Sequence, residues 1–124
     1  MRAARDRARI GSAAETLAAR FLEAHGLEIV LRNYRRRFGE IDIVAREDDV
    51  LVIVEVRSRA SDEFGGAAAS VDGWKQRKIV RTAQLLLQER RDLARLRARF
   101  DVILVDDPCA AEPAIDWLRH AFAT

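Results

Sequence analysis

The sequence predicts a single α/β domain: a mixed central β-sheet flanked by helices. Three observations carry that reading. Val50-Leu51-Val52-Ile53-Val54-Glu55-Val56 is a β-branched apolar run interrupted by one carboxylate, as expected of a central strand buried on both faces. Shorter strand-like stretches surround it at Leu27 to Leu31, Glu40 to Ala45 and Phe100 to Val105. Two longer stretches with helical apolar spacing lie before and after the first three strands, giving the order αβββαβ. The 124 residues are read as one domain. An apolar content of 49% suffices for one core.

Residues 1–10 are arginine- and alanine-rich, lack a strong apolar face and are expected to fray. Ser12-Ala13-Ala14-Glu15 has capping-box spacing, and Ala14, Leu17, Ala18, Phe21 and Leu22 follow at helical spacing. Gly26 ends this helix, with His25 in its last turn. Leu27 to Leu31 is a first strand, and Asn33 to Phe38 a basic connection. Glu40 to Ala45 and Val50 to Arg57 form a hairpin around the polar turn Glu47-Asp48-Asp49. Pairing Ala45 with Val50 sets Asp42 opposite Ile53 and Glu40 opposite Glu55. Period-two alternation then puts Glu40, Asp42, Glu55 and Arg57 on one face. Ser58 to Ser70, with Gly65-Gly66, reads as a mobile loop. Asp72 is placed to cap a second helix, Trp74 to Leu96, with the stripe Ile79, Ala83, Leu86 and Leu93. Pro113 to Leu118 adds an edge strand beyond the fourth.

Net charge is +2, yet the basic residues cluster. Arg32, Arg35, Arg36 and Arg37 precede the acidic hairpin, Arg57 and Arg59 follow it, and Lys75, Arg77, Lys78 and Arg81 open the second helix. Three basic clusters around an acidic centre suit a phosphate-rich partner; the plain alternative is a solvated surface. Of the 22 basic residues, twenty are arginine and two are lysine, which singles out Lys75 and Lys78. No apolar run approaches the ~18–20 residues of a membrane span. No apolar segment follows the arginine-rich start, so neither a membrane partner nor a signal peptide is expected. The lone Cys109 fits a reducing, cytoplasmic compartment.

Several chemistries find little support. His25 and His120 lack partners at metal-ligand spacing. Ser58 and Ser61 lack a His/Asp partnership, and Gly65-Gly66 is too short for a nucleotide loop. Trp74 is expected to pack beneath the second helix rather than stack on a base. What remains is Glu55, whose burial without a compensating cation would be costly. With Asp42 it could hold a hard divalent ion, since two carboxylates suffice when water fills the other positions. Alternatively, Asp42 and Glu55 pair with Arg57 and Arg59.

The motifs Gly39-Glu40-Ile41-Asp42, Val54-Glu55-Val56-Arg57-Ser58-Arg59, Phe64-Gly65 and Lys75 occur in this order. With Ala14-Glu15, Arg32-Asn33-Tyr34, Arg99-Phe100-Asp101-Val102 and Ala121-Phe122, they resemble the YraN-like family over residues ~11–122. That family resembles the Holliday-junction-resolvase-like branch of the PD-(D/E)XK nucleases. The resemblance implies a restriction-endonuclease-like fold and a metal-dependent endonuclease acting on DNA phosphodiesters, with branched DNA a candidate substrate. It implies Asp42 and Glu55 as ligands of Mg²⁺ or Mn²⁺, with Glu15 reaching the same site, and it raises a homodimer. Arg35, Arg36, Arg37, Arg59, Lys75 and Lys78 would contact the nucleic acid. The superfamily pattern carries a lysine where this chain has Arg57, and arginine stays protonated and cannot serve as a general base. Arg57 can still steady phosphate, and Lys75 can supply the missing amine. The alternative is a non-catalytic nucleic-acid-binding module with a nuclease fold; a protein-interaction domain accounts least well for the buried acids.

Overall fold

In the computed structural model, residues 2–59 and 71–122 are described, without the side chains of residues 2–8 and Arg59. The proposed loop at Ser58 to Ser70 therefore lies almost wholly outside the described residues. Helix α1 spans Arg2–Ala24. It buries Ala14, Ala18, Ala19 and Leu22, small residues that let the helix lie close to the sheet. Ser12 and Glu15 are inside this helix, so the expected cap does not form and Glu15 is released from that role. Gly26 (φ 90°) ends it. Leu27 N–H donates to the Leu22 carbonyl at 3.0 Å and Gly26 N–H to that of Glu23 at 3.0 Å, a Schellman closure that glycine accommodates without strain.

Five strands follow: β1 Glu28–Arg36, β2 Gly39–Glu47, β3 Val50–Arg59, β4 Arg97–Asp106 and β5 Ala114–Phe122. Helices α2 (Gly73–Glu89) and α3 (Arg91–Ala94) separate β3 from β4. The sheet order is β1-β2-β3-β4-β5. β3 and β4 are parallel, which requires the helical crossover between them. The other neighbours are antiparallel. This is the single α/β domain with a mixed sheet that the sequence predicts, and it is consistent with a restriction-endonuclease-like fold. Among the described residues, no helix is long and apolar enough to cross a membrane.

Three boundaries differ from expectation. The basic stretch after Leu31 is not a connection: β1 stays paired with β2 as far as Arg36↔Gly39. It is an edge strand, whose solvent face tolerates arginines. The second helix breaks at Arg90 (φ −117°, ψ 85°). β5 continues to Phe122, which stacks on Phe100 at 5.0 Å between ring centroids.

β3 divides its side chains between two cores. Leu51 and Ile53 join Ile79, Ala83 and Leu86 under α2. Val52 and Val54 join Ala18, Leu22 and Ile103 under α1. By the same alternation, Glu55 belongs to the α2 side.

Asp101 at the centre of β4 is fully buried and well supplied with donors. Arg99 Nε and a terminal guanidinium nitrogen donate to it at 2.9 and 3.0 Å, Trp117 Nε1 at 2.8 Å, and His120 N–H at 3.1 Å. The last contact pins an irregularity. Between the pairs Phe100↔Phe122 and Val102↔Leu118, β5 carries two more residues than β4, and His120 there takes φ 51°. Arg99, itself buried, also reaches Glu47 at 3.1 Å. We expect Asp101→Ala to strand a buried guanidinium and cost about 3–5 kcal/mol of stability, read as a lowered urea midpoint with an unchanged m-value. A loss below 1 kcal/mol would mean that Arg99 finds another partner.

Candidate functional site

The β2–β3 hairpin turns through Asp48-Asp49, with Asp48 at φ 54°. Its ladder runs from Glu47↔Val50 to Ile43↔Val54. The register is thus displaced by two residues from the pairing of Ala45 with Val50 expected from sequence. A two-residue displacement preserves side-chain parity along the paired stretch, but β2 loses its alternation just beyond it, with Ile43 under α1 and Ile41 under α2. A common face for Glu40, Asp42, Glu55 and Arg57 therefore does not follow from the register. The alignment changes too: continued one step, the register sets Asp42 level with Glu55 rather than with Ile53. There Asp42 Oδ2 accepts the Val56 N–H at 2.8 Å, so the carboxylate lies at the end of the ladder against the β3 backbone.

On the other side of β2, the chain breaks its alternation at the same level. Arg32 reaches Thr16 of α1 at 3.3 Å, whereas Tyr34, two residues on, belongs to the core under α2. Their partners behave alike: Ile43 faces α1 and Ile41 faces α2. Between Arg32 and Tyr34 stands Asn33 at φ 54°, a left-handed conformation that asparagine adopts more readily than most residues. With its amide nitrogen turned towards α1, Asn33 donates to Glu15 Oε1 at 3.2 Å and Oε2 at 3.1 Å. Tyr34 hydroxyl bonds Glu89, which Arg36 also holds at 3.0 Å. The Arg32-Asn33-Tyr34 run thus ties β1 to both helices and fixes Glu15.

The compensating cation on Glu55 comes from α2: Lys75 Nζ is 2.7 Å from Oε1. Asp72 caps that helix by accepting the Lys75 N–H at 2.8 Å, as its position in the sequence predicts. Arg57 follows Glu55 on β3 and is half-buried. A Cβ on Gly39 would stand 3.0 Å from Thr82 Oγ1, so glycine lets the start of β2 press against α2.

Asp42 and Glu55 are 7% and 8% exposed. Burial pushes the Asp42 carboxyl up to about 8, with the charges of Glu55, Glu15 and Glu40 raising it further and the Val56 N–H opposing them. Three carboxylates, from α1, β2 and β3, thus act on Asp42. The donors are hard oxygens, which fit Mg²⁺ or Mn²⁺ rather than a soft metal. Among the described residues, no three such side chains are gathered in ligand geometry. Water would therefore have to complete the shell of any ion that two of these acids held.

Of these acids, Glu40 and Glu55 open onto a cleft of about 430 Å³, lined also by Arg35, Trp74, Lys75 and Lys78 among others, while Asp42 and Glu15 lie outside its lining. Arg35 is paired with Glu40 at 2.8 Å. Trp74 contradicts expectation: it is 66% exposed rather than packed under its helix. The signal was present in the sequence. Trp74 lies five residues before Ile79, roughly 140° away around the helix from the buried stripe.

The model of the uncharacterised protein family UPF0102 matches residues 14–105. A UPF0102 protein of Nitrosomonas europaea is 47% identical over 112 residues, covering 90% of this chain and 92% of that one. Another, from Pseudomonas putida, is 41% identical over 122 residues and covers 98% of both chains. One from Xanthomonas euvesicatoria is 47% identical over 90% of this chain and 89% of its own. The family match spans the α1 segment carrying Glu15, the hairpin carrying Asp42 and Glu55, and the helix carrying Lys75, and with this coverage the chain belongs to the UPF0102, or YraN-like, family.

Proposed function

We propose that this protein is a metal-dependent endonuclease that hydrolyses DNA phosphodiester bonds. The observation that carries the reading is the level placement of Asp42 and Glu55 where the β2–β3 ladder ends, with Lys75 Nζ 2.7 Å from Glu55 and basic residues around the mouth of the cleft. Asp42 and Glu55 would hold Mg²⁺ or Mn²⁺, and Glu15, oriented by Asn33, would assist. A divalent cation there supplies Lewis-acid stabilisation of phosphate and a lowered pKa for water. Arg57 supplies a permanent positive charge for phosphate. Lys75 is the group that can orient water or exchange a proton, because its ammonium titrates and a guanidinium does not. Arg35, Arg36, Arg37 and Lys78 would position the sugar–phosphate backbone around this centre; the side chain of Arg59 lies outside the described residues.

A second reading, a nucleic-acid-binding module without catalysis, is favoured by one feature. The Lys75–Glu55 pair already neutralises the most deeply set acid of β3. Linear, flapped and four-way DNA incubated with Mg²⁺ or Mn²⁺ separates the two readings. We expect cleavage that a chelator abolishes and that Glu55→Gln reduces by at least ~100-fold. DNA binding without cleavage by wild type on all three substrates would establish the module instead.

The acids give a pH signature. The folded Asp42 carboxyl titrates at about 8, against an ordinary value of 3.8. Without metal, the folded protein therefore binds a proton more tightly than the unfolded chain, and stability falls as pH rises from about 4 to about 8 before levelling. Asp42→Asn keeps an acceptor for Val56 N–H and removes this loss. The variant should gain on wild type by about 1.4 kcal/mol for each pH unit between about 4 and about 8, several kcal/mol in all at pH 9, the difference vanishing towards pH 4. Mn²⁺ affinity of wild type should rise about tenfold per pH unit up to about 8, since the ion must displace that proton. Calorimetry and urea titration read both; pH-independent Mn²⁺ binding would remove Asp42 as a ligand.

Lys75→Arg keeps charge but not the titratable amine. We expect it to lower kcat by roughly 10- to 100-fold while DNA affinity changes less than about twofold. Arg57→Lys, which restores the superfamily residue, should preserve or raise cleavage. Full activity in Lys75→Arg would leave Lys75 as a phosphate contact.

A further inference from the structure

Next to the carboxylate cleft lies a second one of about 520 Å³, lined by Arg37, Phe38, Trp74, Arg77, Lys78 and Arg81. Trp74 and Lys78 line both clefts. The two differ in charge: Glu40, Glu55 and Asp72 line the first, whereas the second has four cations, two aromatics and no acid among its described lining residues. Its aromatics are open to solvent, Trp74 at 66% and Phe38 at 40% exposure. Each has a cation nearby: Arg81 lies 3.7 Å and Arg37 6.0 Å from the Phe38 ring centroid, and Lys78 Nζ lies 5.8 Å from that of Trp74.

Local structure does not ask for these residues. Arg37 and Phe38 form the two-residue turn between β1 and β2, where Asn, Asp or Gly is preferred. Neither adopts positive φ. Trp74 occupies the first turn of α2 on the side away from the core, where a small polar residue would serve the helix as well. An exposed tryptophan beside cations that pair with no acid among the described residues is an unusual arrangement for a solvated surface. It matches what an unpaired nucleic-acid strand needs: an aromatic face for a base and cations for successive phosphates. A base in a duplex is stacked within the helix and has no face to offer.

We propose that this second cleft binds an unpaired segment of DNA, with a base stacked on Trp74 and phosphates on Arg37, Arg77, Lys78 and Arg81. The inference rests on the nuclease reading and deepens it. Because Trp74 and Lys78 border both clefts, the strand would run from single-stranded DNA directly to the carboxylates. The preferred substrates would then be junctions between paired and unpaired DNA, such as flaps and opened branch points.

Binding in a chelator tests this separately from cleavage. The probes are fluorescein-labelled oligothymidylate of about 15 nucleotides and a duplex of equal length. Wild type should prefer the single strand. Trp74→Ala should weaken single-strand binding roughly tenfold and duplex binding less than about twofold, while Trp74→Phe keeps most of the affinity. Arg77→Ala with Arg81→Ala should flatten the salt dependence of single-strand binding by about one unit of slope in log–log form. Trp74 is exposed, so its loss should leave the circular dichroism unchanged. Equal weakening of both probes, or no weakening by Trp74→Ala, overturns the inference. A chain that binds oligothymidylate through Trp74 yet cuts no DNA with Mn²⁺ would refute the nuclease reading and leave this site standing.

Discussion

Burial of β3 on both faces is the constraint from which the rest follows. A strand covered by α1 on one side and α2 on the other has no water to offer a charged side chain, yet it carries Glu55 near its C-terminal end. The chain answers by placing Glu55 where the hairpin ladder ends and by bringing Lys75 to it from the crossover helix. That helix is itself obligatory, because β3 and β4 are parallel and must be joined across the sheet. The topology that buries the acid thus also delivers the cation. Asp72, which starts α2 by capping the Lys75 N–H, sets where along the helix that delivery occurs.

The β1 strand performs the complementary task on the acids of the other elements. Its left-handed residue, Asn33, reverses which face the following side chains take, so that Arg32 and Asn33 reach Thr16 and Glu15 of α1 while Tyr34 reaches Glu89 of α2. A regular strand would send Arg32 and Tyr34 to the same face and could not join both helices. The local backbone cost is small for asparagine. The return is a Glu15 held within electrostatic reach of Asp42.

Much of this was legible in the sequence, and the failures have physical causes. The fold class, the central strand, the α2 cap and the end of α1 at Gly26 follow from hydrophobic period and helix-end chemistry, which are local. The shared acidic face rested on strict alternation, which β2 abandons between Ile43 and Ile41 opposite the left-handed Asn33. Which acid stands opposite Glu55 was not legible either, since turn length fixes that and Glu47-Asp48-Asp49 offers more than one turn. β1 was cut short because Arg32, Arg35 and Arg36 look like a loop until β2 is known to pair with them. Ser12 and Glu15 have cap spacing, but the helix starts well before them, and only the tertiary contact with Asn33 gives Glu15 its use. The Glu55–Lys75 pair spans twenty residues of chain, and no local pattern encodes it.

Two buried carboxylates in one sheet show how structural and chemical acids differ here. Asp101 is surrounded by donors from Arg99, Trp117 and His120, and its partner Arg99 is itself 7% exposed. That network is closed: each charge is met, and a change in either partner strands the other. Asp42 is nearly as buried, but burial itself raises its pKa most, the charge of Glu55 comes next, and Glu15 and Glu40 add smaller repulsions, with the Val56 N–H opposing them. The lysine that relieves Glu55 keeps 45% of its side chain in solvent whereas Glu55 keeps 9%, so the pair is open on the lysine side only, and withdrawing the ammonium would leave a buried carboxylate in need of another cation. Stability alone would favour the closed arrangement at both positions. Repelling acids kept together beside a half-exposed lysine are the feature on which the proposed divalent cation rests.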